Sequence, residues 1–191
     1  MELMAGSGSN YLTWNNFRFG SDCIITSFRY RRNRNMIENI ASSMSNWHQY
    51  VADYVEQSYT IGGEIIFPKM MGGINQSRGC NPFIRDRWDL TIECIRKYYC
   101  GEPSPLYDVL RKNERFFNLF VDFKGYIDFF FLQDCVTSDY KHTKFWLGDG
   151  DLIENPLPKS VEEYLQWIET ELDFVQRRNE RIYKALKDKS I

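Results

Sequence analysis

Apolar residues recur at intervals of three and four through Ile84, Trp88, Thr91, Ile92, Ile95 and Tyr99, which predicts one face of an α-helix. Asn81-Pro82 supplies a start, since asparagine can cap an orphan N–H and proline at the first helical position gives up an N–H that has no partner. Cys100-Gly101 supplies the stop, because glycine accepts the left-handed conformation that ends helices. Leu90, Cys94 and Tyr98 widen the apolar face to about 200° of the wheel. A helix over 82–99 covered in this way is expected to be central and buried.

The same spacing predicts a helix over 36–59 through Ile37, Ile40, Met44, Trp47, Val51, Tyr54, Val55 and Tyr59. Ser104-Pro105 opens another, and Phe116, Phe117, Phe120, Phe123, Tyr126, Ile127 and Phe130 predict a ring-rich helix pair that Gly125 lets pack closely or bend. Ser160 with Glu163 makes a capping box. It opens a long helix from Val161 to about Lys187 with Val161, Leu165, Ile168, Leu172, Val175, Ile182 and Leu186 as its buried stripe. The basic residues Arg177, Arg178, Arg181, Lys184 and Lys187 suit the C-terminal end of its dipole.

Strand signals are fewer. Trp14, Phe17 and Phe19, then Cys23, Ile25 and Ser27, read as two short strands around a turn at Gly20-Ser21-Asp22. Ile61 to Phe67, closed by Pro68, reads as a further strand, and Thr143 to Leu147 as another. Gly148-Asp149-Gly150-Asp151 is a surface turn that lacks the ligand order of a calcium loop. The class expected is mostly α (α+β): a helical domain with a central buried helix 82–99 and a small β element near the N-terminus and at 61–67. Residues 1–10, with Gly6-Ser7-Gly8-Ser9, read as a flexible leader or expression scar, and 11–191 as a single globular domain.

A narrow polar strip remains on the central helix. Asp86, Asp89 and Glu93 fall within roughly 60° of one another at 100° per residue, bordered by Arg85, Arg96 and Lys97. Asp89 and Glu93 repel, and Arg85 and Arg87 lie at the end of the dipole that disfavours cations, so both arrangements ask for partners. An internal ion-pair network is one answer, with Arg85 reaching Asp89 and Glu93 reaching Lys97. An anion pocket is another, with Arg78, Arg85 and Arg87 holding a phosphate at the helix start, Asn75, Gln76 and Asn81 fixing its orientation, and Gly72-Gly73 to Gly79 as a permissive loop. A carboxylate metal site on Asp86, Asp89 and Glu93 is a third. Met70 to Gly79 carries neither a G-x-x-x-x-G-K-[ST] order nor a Rossmann fingerprint, so no standard nucleotide loop is predicted.

Composition narrows the classes. At 191 residues the chain can bury a sizeable core, and an aromatic content of 16% implies a core built from rings. A net charge of −2 argues against nucleic-acid or membrane binding through the whole protein's field. Nucleic acid is left one local patch, Arg29, Arg31, Arg32 and Arg34, with Tyr30 available to stack. Cys23, Cys80, Cys94, Cys100 and Cys135 form no C-x-x-C pair and are odd in number, so neither a zinc ribbon nor a disulfide framework is indicated. His48 and His142 lack partner spacing. No secretory signal or membrane span is read, and the expected location is the cytoplasm.

The segment Ile61-Gly62-Gly63, Ile66-Phe67-Pro68 and then Asn75, Gln76, Arg78, Gly79, Asn81, Ile84, Asp86, Arg87, Asp89 to Arg96, Tyr98 and Tyr99 resembles a family of uncharacterised bacterial proteins carrying a domain of unknown function. Its pattern reads I-G-G…I-F-P…N-Q-x-R-G-x-N…I-x-D-R-x-D-L-T-L-E-C-I-R-R-Y-Y. The likeness continues through Phe123 to Tyr126, Phe129 to Asp134 and Phe174 to Arg181. Ile92 and Lys97 stand where that pattern has leucine and arginine. The resemblance implies a bacterial source and leaves substrate and cofactor unassigned. Two functions follow: a non-enzymatic interaction or structural protein with a protein partner, and, as the alternative, binding or processing of a phosphate-bearing ligand such as a nucleotide or RNA end. In the alternative, Asp86, Asp89 or Glu93 would supply any acid or base.

Overall fold

The computed structural model describes residues 2–6, 9–14, 17–24, 39, 42–69, 73–78, 84, 86–148, 150–152 and 158–188. The class is mostly α with a small antiparallel sheet. Four strands, β1 (Glu2–Gly6), β2 (Ser9–Trp14), β3 (Phe17–Cys23) and β4 (Glu64–Pro68), pair in the order β1-β2-β3-β4. The opening residues, expected to carry no fold information, supply β1 and the start of β2, with Glu2 opposite Thr13 and Gly6 opposite Ser9.

Gly20-Ser21-Asp22 is not a turn. It lies inside β3, with Gly20 opposite Phe67 and Asp22 opposite Ile65. Pairing with a distant strand overrides the local turn preference. Alternation puts Ile65 and Phe67 on one face of the pair and Phe19, opposite Pro68, on the other, and all three are buried.

Helices among the described residues include α1 (Trp47–Ser58), α2 (Ile74–Ser77), α3 (Trp88–Tyr99), α4 (Tyr107–Lys112), α5 (Glu114–Phe117), α6 (Phe123–Phe129) and α7 (Val161–Asp188). The expected helix over 36–59 is interrupted, since Met44 to Asn46 are not helical. Ser43, Ser45 and Asn46 are residues whose side chains compete for backbone groups and favour turns. The ring-rich stretch is likewise cut into α5, a 3-10 turn Asn118–Phe120 and α6. The cut is a γ-turn: Val121 sits at φ 69°, ψ −57°, and the Asp122 N–H donates to the Phe120 carbonyl at 2.8 Å. Phe116, Phe120, Tyr126 and Phe130 nonetheless pack as one cluster, with successive ring centroids 5.1, 5.3 and 5.0 Å apart.

Helix α3 is central, and Trp88 to Ile95 are all buried. It starts at Trp88 and not at Pro82; Asn81 and Pro82 lie outside the described residues, while Asp86 and Arg87 are non-helical. Arg87 is extended at φ −133°, ψ 131°. That conformation has a cause in the side chains, because residues two apart on a helix point away from each other, and Arg87 is bonded to Asp89. The far end is as expected: Gly101 takes φ +71°, its N–H meets the Tyr98 carbonyl, and the Glu102 N–H meets Lys97, a Schellman cap.

On α7 the Glu163 N–H donates to Ser160 Oγ, while Glu163 reaches back to the Lys159 N–H. Its buried face is rotated from the expected stripe. Tyr164, Trp167, Ile168, Glu171, Phe174, Val175 and Arg178 are buried, and Leu186 is exposed. Large rings outweigh branched aliphatics there, and the two charged members are satisfied internally or by carbonyls. Thr143 to Leu147 is not a strand. It makes a single bridge, Val136 to Thr143, and then runs as a loop whose backbone is bonded by side chains of the α3 region.

Candidate arginine cluster at the start of helix α3

Arg78 follows the single turn of α2 and points inward. Its Nε donates to Thr91 Oγ1 at 3.1 Å, and its Nη1 donates to an Asp22 carboxylate oxygen and to the Cys23 carbonyl. The guanidinium lies 5.2 Å from the Trp88 ring centroid, and Nη2 is 3.7 Å from Asp86. One side chain thus ties β3, α2 and α3 together. Asn75 adds a bond from Nδ2 to the Ser21 carbonyl at 3.2 Å, whereas Gln76 is exposed.

The next guanidinium has a separate carboxylate. Arg87 and Asp89 are both fully buried; Arg87 Nε meets Asp89 Oδ1 at 3.0 Å, and Nη2 bonds the other carboxylate oxygen and the Leu147 carbonyl. Asp89 also accepts the Trp146 N–H at 2.8 Å. One turn on, Glu93 accepts from Arg96 Nε and Nη2, each at 2.9 Å, and from Thr143 Oγ1 at 2.9 Å. Lys97 pairs with Glu102 and not with Glu93.

The acidic strip therefore divides. Asp86 lies by Arg78, Asp89 by Arg87 and Glu93 by Arg96, so no two of these carboxylates share one site. Among the described residues no group of three metal-ligating side chains gathers. Burial pushes the Asp86 carboxyl up; Arg78 opposes that and Asp22 adds to it. Arg85 and Asn81, and the patch Arg29, Arg31, Arg32 and Arg34, lie outside the described residues.

A second cluster escaped the sequence reading. Arg178 of α7 is 4% exposed, and its Nε meets the Phe130 carbonyl at 2.9 Å, while Nη1 meets those of Ile61, Gly62 and Glu64 at 3.2, 2.8 and 2.6 Å. Among the described residues it has no carboxylate partner within salt-bridge distance, and burial pulls its guanidinium down to about 10. Asn179 completes the clamp: its Oδ1 accepts the Gly62 N–H and its Nδ2 donates to Thr60 Oγ1, both at 2.7 Å. Gly62 must be glycine here, for a Cβ would stand 2.3 Å from the Val175 carbonyl oxygen. The available signal was the pairing in one pattern of I-G-G with the late stretch Phe174 to Arg181.

The remaining nucleophile candidates are plain. His48 and His142 are exposed, Cys94 and Cys135 are buried, and burial pushes the Cys94 thiol up to about 12. Cys80 lies outside the described residues. An open surface groove of about 470 Å³ is lined by Arg177, Glu180, Arg181 and Lys184, none of them an expected site residue. Among the described residues no helix is long and apolar enough to cross a membrane.

Fold and site together define a mostly helical α+β protein built around one buried helix whose arginines meet carboxylates of the same chain. The chain belongs to a family of unknown function, DUF6994, whose model matches residues 1–182. No curated protein and no solved structure matches it.

Proposed function

We propose that the chain is a non-enzymatic interaction or structural protein of the bacterial cytoplasm, folded as a single domain that includes β1 and β2, in which the arginine clusters hold elements together and an exposed apolar surface meets a protein partner. The observation that supports this most is Arg78, whose side chain is 2% exposed and already bonded to Asp22, Cys23 and Thr91. Its remaining nitrogen, Nη2, makes no hydrogen bond among the described residues but is buried and lies 3.7 Å from the Asp86 carboxylate, so an incoming anion would meet that carboxylate first. Surface is available elsewhere: Tyr59, Ile61, Tyr183 and Leu186 are each at least 60% exposed, on elements joined by the Asn179 clamp.

The alternative is a phosphate-bearing ligand held by Asn75, Gln76, Arg78, Asn81, Arg85 and Arg87. Asp22, Asp86 and Asp89 weigh against it, since a phosphate brought there would face three carboxylates. The discriminating experiment is a thermal-shift panel of nucleotides and inorganic phosphate, with and without magnesium, alongside pull-down from a bacterial lysate. The proposal expects no shift and a specific partner lost on Tyr183→Asp. A ligand-dependent rise that Arg78→Lys abolishes, with nothing recovered from lysate, would reverse it.

A further inference from the structure

We draw no further inference here: the strongest candidate, the exposed apolar residues Tyr59 and Ile61 on one side of the Asn179 clamp and Tyr183 on the last turns of α7, is a surface patch, and nothing in the structure shows what covers it.

Discussion

Replacing Asp89 by alanine isolates the most deeply buried charge pair in the described part of the chain. Both side chains of the Arg87–Asp89 pair are at 0% exposure. Truncating Asp89 leaves the Arg87 guanidinium without its counter-charge, which costs about 3–5 kcal/mol in a buried pair. It also orphans the Trp146 N–H, worth about 1–3 kcal/mol more. Against a total stability of roughly 5–15 kcal/mol, this brings the variant close to unfolding. For a chain of this length the melting temperature should fall by about 2–4 °C per kcal/mol, so by at least about 8 °C. Urea denaturation of Asp89→Ala gives the loss, and Asp89→Leu, Arg87→Met and the double variant Arg87→Met/Asp89→Leu close a cycle that gives the coupling. The double variant should recover most of the loss, because an apolar pair of similar volume is nearly neutral where a lone charge is not. A loss below 1 kcal/mol for Asp89→Ala, or strict additivity in the cycle, would refute the reasoning.

Gly62→Ala should lower stability by at least about 2 kcal/mol through overpacking against Val175, measured by urea midpoint, while Gly20→Ala, whose Cβ would meet nothing nearer than 3.9 Å, should stay within about 1 kcal/mol. Asp86 and Asp134 should respond to pH in opposite senses. Asp134, held low by its bonds from Arg181, adds stability above the unfolded carboxyl range near about 3.9 that is lost as pH falls, so Asp134→Asn should cost more at pH 7 than at pH 3. The Asp86 carboxyl, pushed up by burial, adds stability at low pH that is lost as pH rises through its folded value; melting curves of Asp86→Asn should therefore improve relative to wild type between pH 4 and pH 7.

The parts of this fold that depend on residues three and four apart were readable in advance. The buried face of α3, its Schellman end at Gly101 and the Ser160 cap all follow from local spacing and hydrogen-bond chemistry. The failures have the opposite character. Arg87 breaks the helix because its side chain joins Asp89 across a two-residue step, and Thr143 to Leu147 is a loop because Asp89 and Arg87 bond its backbone. Each is decided by a contact that periodicity does not encode. Spacing groups Asp86, Asp89 and Glu93 as one strip; their division among Arg78, Arg87 and Arg96 depends on Asp22, Leu147 and Thr143, all remote in sequence. Arg178 was read as an ordinary base at a helix end, and only the three-dimensional neighbourhood reveals the four carbonyls around it.

The most direct test of internal neutralisation is calorimetric titration of the wild-type protein with inorganic phosphate and with a nucleoside triphosphate at low salt. The account predicts no saturable heat, since Arg78 and Arg87 are already engaged by carboxylates of their own chain. Stoichiometric binding that disappears in Arg78→Lys, in a variant still folded by circular dichroism, would contradict it.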